Sequence, residues 1–170
     1  MLGELHLEQQ RDLPIHKLSG GQRKRVSIGI ELLTKPRLFF LDEATSGLDP
    51  GTESELMQLL RNLTSDPREG RTIILVTHAT KNVSLCDQVI FLTRGGHLAF
   101  FGTSEEALTY FEQFWSEQQR RLKPVFEFDD IYDLLDPDKA LATTATEKQK
   151  LAAAAEWSKR YRQSPYYRTH

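Results

Sequence analysis

The chain has 170 residues, 39% hydrophobic and 27% charged, the ordinary proportions of a soluble globular protein with enough length for one real core. Lys and Arg (22) nearly balance Asp and Glu (24); the net charge of −2 excludes a whole-surface attraction to nucleic acid or anionic lipid, though not a local basic patch. Cys86 is the single cysteine, which excludes an internal disulfide and fits a reducing compartment.

The stretch from residue 1 to Asp12 is polar and acidic where a signal peptide would be basic and then apolar, so secretion is not expected. Leu13-Pro14 favours an extended approach to Ser19-Gly20-Gly21-Gln22, whose Ser-x-x-Gln spacing is a capping box opening a helix. Val26, Gly29, Ile30 and Leu33 then fall at i, i+3, i+4 and i+7, predicting an apolar stripe on a helix that ends before Pro36. The run Leu38 to Leu41 is too short for a helix and suits a strand buried on both faces. Leu56, Leu59, Leu60 and Leu63 repeat the helical stripe, and Thr72 to Thr77 reads as a second buried strand, giving a strand–helix–strand unit with a parallel crossover. None of these apolar runs approaches the roughly 20 residues that span a bilayer.

Val89 to Thr93 and Leu98 to Phe101 read as two strands joined by the turn Arg94-Gly95-Gly96-His97. Thr103-x-x-Glu106 opens another capped helix with Leu108, Phe111 and Trp115 on one side. From about Gln118 the chain turns to mixed charge and scattered aromatics, with a helix expected from about Thr146 to Arg162 that carries the Ala-rich segment Leu151 to Ala155. That helix shows no strong apolar face, which predicts weak docking.

A helix start offers free amides and a positive dipole end, and Gly20 and Gly21 let backbone come close to an anion while Ser19 adds a hydroxyl. The plain alternative is a capped helix after a Gly-Gly turn. Arg23, Lys24 and Arg25 oppose the helix dipole unless something negative lies near. Asp42 and Glu43 leave a hydrophobic strand where ligands of parallel sheets bind, and such a pair can serve a magnesium ion and an attacking water, or simply start the next loop. His78 ends the next strand, either within reach of the same place or as a structural histidine. Asp49 before Pro50 reads most simply as an N-cap.

In order and context the stretch from Leu18 to Asp49 resembles the ATP-binding cassette ATPases. Leu18 to Gln22 is similar to their signature motif, Arg37 to Asp42 to the Walker B strand, Glu43 to the catalytic glutamate, Ser46 to Asp49 to the D-loop, and His78 to the switch histidine. Arg23 to Gly29, Asp42 to Asp49 and His97 to Phe111 resemble more narrowly the subfamily of white-type eye-pigment and sterol transporters and their bacterial relatives. Ala44 stands where proline is usual there. The resemblance covers residues from about 4 to 112, and more faintly the linker around Ser164-Pro165-Tyr166-Tyr167.

The resemblance implies an α/β fold: an incomplete P-loop NTPase (RecA-like) parallel sheet with flanking helices, a C-terminal β-hairpin and a helical linker. Residues 1–112 would be the C-terminal half of the ATPase domain, and 113–170 an extension towards a transmembrane domain. It implies catalytic roles for Glu43 and His78, a magnesium role for Asp42, and nucleotide contacts for Ser19, Gly20, Gly21, Gln22, Ser46 and Asp49. The cofactors would be ATP and Mg2+, and the partners a second cassette packed head to tail and a membrane domain, without nucleic acid. The implied location is the cytoplasmic face of a membrane. The 170 residues contain no G-x-x-x-x-G-K-[ST] phosphate loop, so the chain alone is expected neither to bind ATP tightly nor to hydrolyse it, and the missing strand is expected to leave apolar edges exposed. A non-enzymatic module that pairs with intact cassettes, and part of a soluble cassette without a transport role, are the alternative readings.

Overall fold

The computed structural model describes residues 2–65, 70–141 and 146–168. The chain forms two compact units, residues 1–85 and 86–170. The first contains α1 (Gly20–Leu32), β1 (Leu38–Asp42), α2 (Pro50–Thr64) and β2 (Thr72–Val76), preceded by single helical turns at Glu8–Gln10 and Ile15–Lys17. β1 and β2 pair in parallel with Leu38 opposite Thr72 and Asp42 opposite Val76, so the two strands end side by side.

The ends of these elements follow from local chemistry. Ser19 accepts from the Gln22 amide while the Gln22 side chain returns to the Ser19 amide, completing the capping box at the start of α1. Asp49 caps α2 through Gly51 and Thr52, with Pro50 at the first helical position where its missing N–H costs nothing. Leu56, Met57, Leu59, Leu60 and Leu63 bury one side of α2, with Leu5, Leu7, Leu18, Ile28, Leu32 and Phe39 completing the core of this unit.

Two expectations fail here. The stripe Val26, Gly29, Ile30, Leu33 is not the buried face of α1: Ile30 and Leu33 are exposed, and Gly21, Arg25, Ile28, Gly29 and Leu32 turn inward. That face is set by small residues that allow close approach; a β-carbon on Gly29 would lie 2.5 Å from Leu5 Cδ1. Nor are β1 and β2 buried on both faces. Phe39 and Leu41 point inward, whereas Leu38, Phe40, Ile74 and Val76 are exposed, because a two-stranded sheet receives helical cover on only one side of this unit.

The second unit is an antiparallel hairpin, β3 (Val89–Thr93) and β4 (His97–Gly102), followed by α3 (Ser104–Glu112), α4 (Glu117–Leu122), α5 (Phe128–Leu135), α6 (Pro137–Leu141) and α7 (Glu147–Gln163). The hairpin turn places Gly95 and Gly96 at φ 80° and 74°, a left-handed conformation that glycine adopts without strain. Thr103 and Glu106 form the expected capping box. Phe111 and Trp115 are buried as expected, but Ala107 and Tyr110 join them and Leu108 is only half-buried.

The helix at 146–162 docks far more firmly than its composition predicts. Ala154, Trp157, Ser158 and Tyr161 are buried at i, i+3, i+4 and i+7, and α7 packs along β4. Phe100 lies at the centre of the aromatic cluster, 5.4 Å from Tyr110, 5.5 Å from Tyr161 and 5.9 Å from Phe111 between ring centroids. The Tyr161 hydroxyl donates to the Phe101 carbonyl at 2.8 Å. Two aromatic residues thus do the work that a continuous apolar stripe would otherwise do. Among the described residues no helix is long and apolar enough to cross a membrane.

Candidate nucleotide-handling site

The chemistry-bearing residues of the first unit gather at the carboxyl ends of the parallel strands and at the start of α1. Asp42 closes β1 with an exposed side chain. Glu43 follows at φ 46°, in the left-handed region that a glutamate rarely adopts. Its amide donates to the Val76 carbonyl at 2.8 Å, and its carbonyl accepts from the Ser46 amide at 3.0 Å. The resulting tight turn holds its carboxylate 3.5 Å from Nδ1 of His78. The parallel register explains this meeting: strands that end together deliver Glu43 and His78 to one place.

Beneath the turn, Thr45 is buried and its Oγ1 lies 3.3 Å from Oγ1 of Thr77, which also accepts from the Ala79 amide at 3.0 Å. The two strand ends are thereby pinned below the Glu43–His78 pair. Lys24, reaching from α1, donates from Nζ to the Glu43 carbonyl at 3.2 Å and to the Ser46 carbonyl at 2.6 Å. The sequence grouped Lys24 with Arg23 and Arg25 as cations awaiting a nearby negative group; its bonds to two backbone carbonyls depend on a tertiary approach that spacing does not reveal.

Ser19 and Gly20 are exposed at the start of α1, as a contact to an external anion requires. Gly21 is buried, and packing explains it directly: a β-carbon there would lie 2.3 Å from Thr52 Cγ2 of α2. At Gly20 the same atom would meet open space. Of the three cations after Gln22, Arg25 turns inward and pairs with Glu55 at 2.5 Å, while its Nε makes no hydrogen bond with any described residue. A cleft of about 650 Å³ beside this pair is bordered by Ser19, Gly21, Gln22, Arg25, His6 and Thr52.

Ser46 lies in the turn after Glu43, and Asp49 is committed to capping. Its Oδ1 accepts from the Gly51 and Thr52 amides and its Oδ2 from Thr52 Oγ1 at 2.6 Å; the Thr52 hydroxyl, then the amides, holds its carboxyl below the usual range. As a metal site the arrangement is one-sided. Asp42 offers a carboxylate, but no group of three or more candidate ligands is gathered among the described residues. Asp42 and Glu43 offer carboxylates at the strand ends, and the sequence contains no G-x-x-x-x-G-K-[ST] loop that would cradle phosphates.

Residues 1–46 match the family model described as ABC transporter. Over 102 residues, 60% of this chain, the sequence is 47% identical to the ABC transporter ATP-binding/permease protein Rv1747 of Mycobacterium tuberculosis. Over 118 residues, 65% of the chain, it is 40% identical to the broad substrate specificity ATP-binding cassette transporter ABCG2 of Mus musculus. The chain spans only 11% and 17% of the lengths of these two relatives. Among solved structures, cbiO1 of Clostridium perfringens, part of the ABC transporter complex cbiONQ, superposes with a TM-score of 0.56 at 33% identity, covering 76% of this chain and 48% of that one. The α/β architecture with its parallel strands is that of a P-loop NTPase ATPase domain, and over most of its length the chain is similar to the ATP-binding parts of ABC transporters, white-type transporters among them.

Proposed function

We propose that this chain supplies part of the ATP-hydrolysing subunit of an export-type transporter, coupling nucleotide turnover to movement of a substrate across a membrane. The observation that carries the reading is the meeting of Glu43 and His78 at the ends of adjacent parallel strands, on a backbone held in a costly conformation. Glu43 would orient or deprotonate an attacking water, His78 would hold it in place, and Asp42 would reach the magnesium ion through its water shell. Ser19, Gly20, Gly21 and Gln22 would face the γ-phosphate of a nucleotide seated on a second cassette packed head to tail, with Ser46 and Asp49 near that junction. The chemistry ATP and magnesium supply there is phosphoryl transfer to water, for which the protein provides position and charge.

Residues 1–112 correspond in this reading to the C-terminal half of the ATPase domain, and 113–170 to the extension leading to a membrane domain, on whose cytoplasmic side the subunit would sit. The experiment joins residues 1–170 to the phosphate-loop segment of a related cassette. The hybrid is expected to hydrolyse ATP with magnesium and to lose at least about 100-fold in rate in Glu43→Gln. A folded hybrid that binds ATP and hydrolyses it equally well with Gln at position 43 would overturn the proposal. The chain by itself is expected to show no magnesium-dependent hydrolysis.

A further inference from the structure

We propose that Lys24 is a positioning residue that fixes the Glu43–Ser46 turn to the start of α1, so that the part of the chain facing one nucleotide is mechanically joined to the part serving another. The inference rests on the reading above for the two nucleotides; the joint itself rests on geometry alone. Among the described residues Glu43 is one of three non-glycine residues with positive φ, and the one that lies at the carboxyl ends of the parallel strands. A strained residue persists where its surroundings hold it, and three hydrogen bonds do so here: its amide to Val76, its carbonyl from Ser46, and its carbonyl from Lys24. The first two come from β2 and from the turn itself. Lys24 alone brings a donor from α1.

One ammonium group spans the first and last carbonyls of the turn, Glu43 at 3.2 Å and Ser46 at 2.6 Å, so it closes the turn as a clamp closes a ring. Lys24 is half-buried and lies one turn into a helix whose first turn is locked by the Ser19–Gln22 box. A displacement of the Ser19–Gly20 end is therefore transmitted through a short rigid lever to the backbone that aims the Glu43 carboxylate at His78. Arg23, one residue earlier, is exposed and points elsewhere on the helix circumference, and Arg25 is committed to Glu55.

The test uses the full chain without nucleotide, so it remains readable whatever becomes of the ATPase reading. In Lys24→Met the Ser46 and Leu48 amides, which bond within the turn, are expected to exchange with solvent about ten-fold faster, while the amides of Leu59 to Leu63 in α2 keep their rates. The His78 ring signals are expected to shift as the carboxylate beside them is released. Lys24→Arg, which retains a cation able to donate to two carbonyls, is expected to restore both readouts. Unchanged Ser46 exchange and unchanged His78 signals in Lys24→Met, or an arginine variant indistinguishable from methionine, would overturn the inference.

Discussion

Gly21→Ala offers a direct measurement of how the candidate phosphate-facing helix is seated. The added methyl would lie 2.3 Å from Thr52 Cγ2, whereas carbon atoms rest comfortably at about 3.5–4.0 Å. Thr52 cannot simply rotate away without cost, because its hydroxyl donates to Asp49 Oδ2 at 2.6 Å and turning it would break that bond beside the amide bonds that cap α2. Overpacking of this kind costs about 1–3 kcal/mol, and replacing glycine by alanine in a helix returns up to about 1 kcal/mol, so a net loss of about 1–2 kcal/mol is expected. Gly20→Ala, entering open space, is expected to be neutral or to stabilise by about 0.5 kcal/mol. The assay is urea unfolding of both variants, together with Thr52→Ser and the double variant Gly21→Ala/Thr52→Ser. Serine keeps the hydroxyl and removes the clashing methyl, so a coupling of about 1 kcal/mol or more is expected between the two sites. Wild-type stability in Gly21→Ala, or additivity in the double variant, would refute the packing argument. The outcome also governs how activity data are read: loss of turnover at position 21 reports seating of the helix, whereas loss at position 20 reports the proposed anion contact.

In the second unit, burial pushes the Tyr110 hydroxyl up to about 12, partly offset by the charge of Arg160. An unfolded tyrosine ionises near pH 10, so between pH 10 and 12 the unfolded chain sheds a proton that the folded one keeps, and stability falls by about 2 kcal/mol across that window. Urea midpoints measured from pH 8 to 12 should decline in the wild type and stay flatter in Tyr110→Phe, and a parallel decline would disprove the assignment. At pH 8 the same substitution is expected to be neutral or to stabilise by about 1 kcal/mol, since the hydroxyl makes no hydrogen bond among the described residues. Trp157→Ala is expected to cost about 3–5 kcal/mol in calorimetry of the full chain; a cost below about 1 kcal/mol would mean that α7 is not docked on β4 in solution. Tyr161→Phe should cost about 1 kcal/mol by urea unfolding through the lost bond to Phe101, and no loss would discount that bond.

What was legible in the residues was whatever local chemistry decides. The boxes at Ser19–Gln22 and Thr103–Glu106, the cap at Asp49, the glycine turn at 95–96 and the parallel strands at 38–42 and 72–76 all appear where their side chains call for them. The sequence left His78 between two readings, a structural histidine or a neighbour of the carboxylates, and the shared end of the adjacent strands brings it to Glu43. The buried face of α1 was not, because periodicity counts Arg25 and Gly21 as polar or neutral, while close helix contact and an ion pair with Glu55 turn both inward. Firm docking of α7 escaped because Trp157 and Tyr161 concentrate in two side chains the area a stripe would spread over several. The left-handed backbone of Glu43 had no local signal either, since two of the three bonds that hold it come from β2 and α1.

The hydrogen bond from Tyr161 to Phe101 joins residues separated by 60 positions. During synthesis at about 5–20 residues per second, the hairpin therefore emerges from the ribosome about 3–12 s before the helix that covers it. Throughout that interval Phe100 has no Tyr161 to rest against, and the nascent strand pair is a client for any holdase that recognises bare aromatic surface. Slow codons placed just after the hairpin would lengthen this vulnerable period, and a chain released before residue 161 would never leave it.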